Sequence, residues 1–195
     1  MYAGCRLWTQ RGIFEHIFTV LREDADMEYF STDSKFCKVH QSTNGVEKAE
    51  YQSVGVSKGG RNTKIHAIVD RLGNPVSFLL SGDHDHDTRY VTPVLSQIEI
   101  KVSNILSDKA CSAKEIRDFM IAHEARYTIP PKNNNPELWS VDYHTCKERH
   151  LVECFFQKLK WFRRVFTRYD KLAFCKFFIS AIGIHCGCRV WNILH

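Results

Sequence analysis

The chain has 195 residues, 44% apolar and 25% charged, a balance that supports a buried core and excludes disorder as the main state. With 27 Lys and Arg against 22 Asp and Glu, the net charge is +5, which leans toward a polyanionic partner. The longest apolar stretch, near the C-terminus, is broken by Lys176, His185 and Arg189. It falls short of the ~20 residues that a bilayer span requires, so no membrane association is expected. The opening MYAGCRLWTQRG lacks the apolar segment of a secretory signal. The eight cysteines are scattered and form no Cys-x2-Cys pair. They read as free thiols of a reducing cytosol. His185-Cys186-Gly187-Cys188 is half of a zinc site with no second pair to complete it.

In chain order, Ile13, Ile17, Val20 and Leu21 fall at helical spacing and predict a helix from about Ile13 to Leu21. Tyr29 to Asp33 reads as a strand that ends on a carboxylate. Residues 41–61 are polar and rich in Gly, Ser and Lys, and read as a loop. Residues 63–80 form a hairpin. Its first strand puts Ile65, Ala67 and Val69 on one side and Lys64, His66 and Ile68 on the other. Leu72-Gly73-Asn74-Pro75 is the turn. A helix follows from about Thr88 to Ile98, then a buried strand from Val102 to Leu106 ending in Ser107-Asp108. A helix from Ala113 to Glu124 leads to a short strand, Tyr127 to Ile129, stopped by Pro130-Pro131. Residues 132–146 are predicted loop, followed by helices from about Lys147 to Val165 and Leu172 to Trp191. Strands alternating with helices imply an α/β fold with a mixed sheet.

Asp33 and Asp108 therefore sit at the ends of predicted strands, where sites collect in open α/β sheets. Plotted at 100° per residue, the long helix carries Leu151, Phe155, Leu159, Phe162 and Phe166 within about 60° of the side opposite Glu153. Arg149, Gln157, Lys160 and Arg164 lie within about 40° of Glu153. Such a stripe is ordinarily a solvated helix face. Together with two strand-end aspartates, Glu153 makes a sensible cage for hard divalent cations, which take oxygen ligands and keep water positions open. The three carboxylates are then expected within about 4–8 Å of one another, so as to share two ions about 4 Å apart.

Several motifs occur in order. Thr32-Asp33-Ser34 is followed by Val39-His40, then by the segments 57–66 (SKGGRNTKIH) and 70–75 (DRLGNP). His86-Asp87, Leu106-Ser107-Asp108-Lys109 and Ile129-Pro130-Pro131-Lys132 come next. Arg149, Glu153 and Lys160 fit the spacing of Tyr-x2-Arg-x3-Glu-x6-Lys, and residues 162–164 (FRR) and 167–172 (TRYDKL) continue the series. Over about residues 29–173 the chain resembles bacterial insertion-sequence transposases of the DDE type. The resemblance implies an RNase H-like mixed β-sheet flanked by helices. It implies that Asp33, Asp108 and Glu153 are the catalytic, metal-holding acids for two Mg²⁺ ions, with Mn²⁺ as a substitute. It implies cleavage of double-stranded DNA at the element's ends, transfer of the freed 3′-OH to target DNA, and a homodimer as the active form. It places Arg149 and Lys160 on the DNA backbone; the 1.5 Å rise per residue puts Lys160 about 10 Å along the axis from Glu153. Arg163, Arg164 and Arg168, in a basic stretch with Lys158 and Lys171, extend the expected DNA contact.

Three features depart from the pattern. Cys146 stands where the signature has Tyr, Asp108-Lys109 is followed by Ala110-Cys111 rather than Gly-Tyr, and only 32 residues precede Asp33. Residues 1–28 accordingly read as the remnant of a helical DNA-binding region. Residues 29–171 read as the catalytic domain, and 172–195 as a C-terminal helix packed on it. A bacterial, cytoplasmic, DNA-associated protein is expected. The alternatives are an inactive remnant that only binds DNA and a cellular RNase H-like nuclease. His84-Asp85-His86-Asp87 reads as a polar loop rather than a metal site. Lys58-Gly59-Gly60-Arg61 lacks P-loop spacing and reads as a basic loop contacting DNA.

Overall fold

The structure is a computed structural model that describes residues 7–8, 10–39, 55–57, 60–82, 86–132, 139–161, 167–168 and 182–183. Helix α1 (Ile13–Arg22) leads into strand β1 (Tyr29–Val39). Strands β2 (Gly55–Ser57), β3 (Gly60–Val69) and β4 (Pro75–Gly82) follow. Then come α2 (Thr88–Leu95), β5 (Asn104–Leu106), a 3₁₀ turn (Lys109–Cys111), α3 (Lys114–Ala122) and β6 (Arg126–Thr128). Short helix α4 (Tyr143–Lys147), α5 (His150–Trp161) and β7 (Thr167–Arg168) complete the order.

β1 lies at the centre of one mixed sheet. It pairs antiparallel with β3 on one edge, and β3 pairs antiparallel with β4. On its other edge β1 pairs parallel with β5, and β5 parallel with β6. The resulting order β4-β3-β1-β5-β6, with only β3 running against its neighbours among the central strands, is the RNase H-like arrangement. β2 hairpins onto the start of β3, and β7 joins the far end of β1.

Both faces of the sheet are covered, which is why β3 is buried almost throughout rather than on alternate residues. Ile65, Ala67 and Val69 pack with Phe14 and Phe18 of α1 and with Val152, Phe155, Phe156 and Leu159 of α5. Ile68 and Phe30 pack on the other face with Val91, Val94 and Leu95 of α2 and Ile116 and Met120 of α3. The alternation of β3 read from the sequence thus divides two cores.

Several boundaries differ from the sequence reading. β1 does not end at Asp33 but continues to Val39, because β3 supplies a ladder partner as far as Lys38. Residues 55–57 and 60–61, read as loop, are strand. The strand expected from Val102 starts at Asn104, because Val102 adopts φ 66° and Ser103 N–H donates to the Ile100 carbonyl, a turn that breaks the extended run. α2 stops at Leu95, and residues 143–146, read as loop, belong to α4. α5 begins at His150 rather than Lys147. Its buried face includes Val152 and Phe156, so Glu153 lies at the margin of that face instead of diametrically opposite it. Most of the predicted C-terminal helix lies outside the described residues, as do His185, Cys186 and Cys188.

The β3–β4 turn is built around one carboxylate. Asp70 is fully buried, and its Oδ1 accepts from the N–H groups of Leu72 at 2.9 Å and Asn74 at 2.8 Å. Its Oδ2 accepts from Asn74 Nδ2 at 3.2 Å and Asp26 N–H at 3.3 Å, tying the turn to the segment that enters β1. Gly73 takes φ 77°, a conformation that side chains with a Cβ resist. We expect Asp70→Ala to lose about 2–4 kcal/mol of stability, because several buried donors lose their acceptor together. Urea unfolding followed by circular dichroism checks this, with Asp70→Asn falling between the two.

Candidate active site

The parallel register of β1 and β5 ends at Ser31 opposite Leu106. Asp33 and Asp108 each lie two residues further on, so the register carries both just past the end of that ladder. β5 supplies no partner to β1 beyond Ser31, and β7 takes up that edge only at Lys38. Asp33 is cross-strand from Ala67, which lies in the core under α5, so its side chain is on the α5 face of the sheet.

Asp33 and Asp108 line a small cavity of about 30 Å³ together with Thr32, Ser34, His66 and Asp87, and with Val91, Val94 and Cys111 as its apolar wall. Each spends Oδ1 on a backbone donor. Asp33 accepts from Ser34 N–H, and Asp108 caps the 3₁₀ turn by accepting from Ala110 N–H, both at 2.8 Å. Burial raises the pKa of Asp33 above the usual carboxylate range, and the Asp108 charge pushes the same way. The Ser34 N–H and the cations Arg149 and Lys35 oppose that rise. Ser107 Oγ, also on the cavity wall, is buried without a hydrogen bond of ordinary geometry.

Helix α5 is tied to the same sheet end. Tyr29 donates its hydroxyl proton to Glu148 Oε2 at 3.2 Å, and Ser31 Oγ reaches the Glu148 carbonyl at 3.5 Å. Burial, reinforced by the Glu148 carboxylate, pushes the Tyr29 phenol up to about 12. Glu148 and Arg149 form the joint between α4 and α5, so this latch sets where α5 starts. Arg149 Nη2 then donates to Glu153 Oε1 at 2.9 Å. Glu153 is half-exposed, and among the described residues no three His, Cys, Asp or Glu side chains stand together as metal holders. The structure brings Asp33 and Asp108 together and engages Glu153 with Arg149 instead.

Lys160 is exposed on α5, 3.4 Å from Gln157 Oε1, and Trp161 beside it is 79% exposed. Arg163 and Arg164 lie outside the described residues. Arg168 contributes backbone pairing to Val39, and its side chain is outside the description.

Sequence reasoning missed a charged cluster under the cavity. Asp87, at the start of α2, meets Lys64 Nζ at 2.5 Å and lies 3.8 Å from His66 Nδ1. The His66 ring stacks on Tyr90 and shares a 2.8 Å hydrogen bond with Ser81. The signal was the polar pair Lys64 and His66 on a strand that is covered on both faces. Lys35 and Lys38, exposed on β1 beyond Asp33, were missed because that strand was ended too early.

The sheet order defines an RNase H-like domain, with Asp33 inside β1 and Asp108 just past β5 in one cavity. Residues 24–184 match the family described as Transposase DDE domain. The chain belongs to this family. It is 33% identical over 110 residues to a protein of Brucella ovis named "Putative transposase for insertion sequence element IS6501", a match covering 56% of this chain and 84% of that one. Two solved structures are also similar, each 12% identical and covering 90% of this chain. A pre-cleavage Mos1 transpososome aligns at a TM-score of 0.34, with this chain spanning 59% of that one. The Mos1 transposase catalytic domain with Raltegravir and Mg aligns at 0.32 over 89% of its chain.

Two outcomes follow from this geometry. Asp87→Ala leaves the nearly buried Lys64 ammonium without its partner, and we expect a loss of about 2 kcal/mol, reduced from the fully buried case because Asp87 is partly exposed. Lys64→Met in the same chain should recover part of it, as measured by chemical denaturation. Burial is the main cause that pushes the Cys111 thiol up to about 12, whereas Cys154 is exposed. Iodoacetamide at pH 8 should therefore label Cys154 in the native protein and Cys111 only after unfolding, as read by peptide mass mapping.

Proposed function

We propose that this chain is the catalytic domain of a DNA transposase that cuts phosphodiester bonds at insertion-sequence ends and joins the freed 3′-OH to target DNA. The observation that carries this reading is the pair Asp33 and Asp108, which line one cavity just past the ladder that joins their parallel strands, with the charge of Arg149 acting on Asp33.

The donor set fits hard divalent cations. It is made of carboxylate oxygens, two of them brought together in a confined cavity where like charges repel, and a divalent cation offsets that repulsion. Asp33 and Asp108 would hold Mg²⁺, with Glu153 as the third carboxylate. When bound, a pair of such ions activates the attacking oxygen and stabilises the leaving one. The remaining work falls to this chain's cations. Arg149 and Lys160, on the helical face of Glu153, bind backbone phosphates and hold the scissile bond in register. Lys35, exposed on β1 on the Asp33 face, adds a cation beside the acids, and the sequence offers Arg163, Arg164 and Arg168 as further phosphate contacts. Cys146 and Cys111 replace tyrosines of the family pattern and are not metal ligands, so cleavage should survive these changes better than recognition of the element's ends.

A second reading is a chain that binds DNA without cutting it, and the engagement of Glu153 by Arg149 favours it. The two separate in one assay. We expect purified protein to nick supercoiled plasmid weakly with Mg²⁺ and not with Ca²⁺, and Asp108→Ala to abolish nicking while leaving DNA binding intact. Nicking that persists in Asp108→Ala would overturn the assignment of the acids, and binding without any nicking would favour the second reading. Binding itself should be salt-sensitive and largely sequence-independent. Six phosphate contacts give a log–log salt slope near −5 at ~0.9 per contact, measurable by fluorescence anisotropy on duplexes of unrelated sequence.

A further inference from the structure

Arg149 occupies an unusual place. It is in the joint between α4 and α5, and its neighbour Glu148 is fastened to Tyr29 and Ser31 of β1. From that fixed point its guanidinium reaches Glu153 one turn along the helix, at 2.9 Å. Its charge also acts on Asp33, so the guanidinium stands where the helix acid and Asp33 both feel it. A guanidinium binds a carboxylate and a phosphate with the same forked donor geometry, so one anion can replace the other on it without a change in charge balance.

We propose that Arg149 gates the acid set: in the DNA-free protein it holds Glu153 in an ion pair away from Asp33 and Asp108, and a DNA phosphate that takes the guanidinium releases Glu153 to join them. This inference rests on the reading that the three acids hold divalent cations. It makes metal binding and DNA binding mutually reinforcing, because each removes one partner of the Arg149–Glu153 pair. The pair is partly exposed, and exposed pairs of this kind set a coupling of about two- to fivefold.

The test uses the full chain with Mn²⁺ as probe, its free concentration read by electron paramagnetic resonance in the absence of DNA. Glu153→Gln should weaken Mn²⁺ binding less in the otherwise native chain than in the Arg149→Gln chain, because Arg149 competes with the metal for Glu153 there. Arg149→Gln should tighten Mn²⁺ binding about two- to fivefold, and adding Glu153→Gln to Arg149→Gln should cancel that gain. The dependence on Glu153 separates release of the acid from the mere loss of a nearby positive charge. The reciprocal measurement needs no metal. In EDTA, Glu153→Gln should tighten duplex binding about two- to fivefold with Arg149 present, and by less in the Arg149→Gln chain. Equal Mn²⁺ affinity in the native and Arg149→Gln chains would overturn the gate. So would a Glu153→Gln effect on Mn²⁺ affinity that is the same with Arg149 present or replaced by Gln. Mn²⁺ binding that survives Asp108→Asn would instead overturn the underlying metal reading, and the gate with it.

Discussion

The parallel register between β1 and β5, together with the difference in their lengths, is the constraint from which the site follows. Three residue pairs join the strands and end at Ser31 and Leu106. β5 stops there, while β1 continues along β3. A longer β5 would have used this edge of β1 for ladder hydrogen bonds and closed the cleft. Because it stops, the residues two beyond the last pair on each strand line one cavity. Both are aspartates, Asp33 within β1 and Asp108 at the cap of the 3₁₀ turn that follows β5.

Two like charges in a confined space oppose folding unless something offsets them. Here the offset is distributed. A backbone N–H serves each carboxylate, and Arg149 and Lys35 act on Asp33 from outside the cavity. On the far wall, Asp87 is neutralised by Lys64 rather than added to the acidic set. The apolar layers bear the cost of this polar pocket. Phe30, Ile105 and Met120 lie fully buried on one face, and Phe156 and Leu159 on the other, so the sheet end is held rigid from both sides.

Much of this was legible in the sequence. The alternation of Lys64 to Val69 assigned residues to faces that the two cores confirm, and the apolar set Ile13, Ile17, Val20 and Leu21 located α1 nearly to its ends. What was misread has a shared cause. The end of β1, the strand at residues 55–57 and the start of the Asn104 strand all depend on which neighbour supplies a ladder partner, and local sequence does not contain that information. Val102 is a good strand former, yet it turns left-handed. The tilt of α5 was likewise hidden. Counting apolar positions at 100° per residue located the aromatic stripe, but α1 packs from the side and draws Val152 and Phe156 into the core as well.

The sequence by itself determined the family, the mixed α/β class and which acids and cations are candidates, because motif spacing and side-chain period are local properties. Only the tertiary structure decided that Asp33 and Asp108 share one cavity. That depends on strand register, a pairing between segments separated by some seventy residues of chain. It alone decided that Lys64 and His66 are buried beneath Asp87, since burial of a polar pair requires a third element to cover it. And it alone set Glu153 against Arg149. The i to i+4 spacing permits that ion pair on any helix, but where the pair sits relative to the aspartates is fixed by the Tyr29–Glu148 latch, a contact that spans 119 positions.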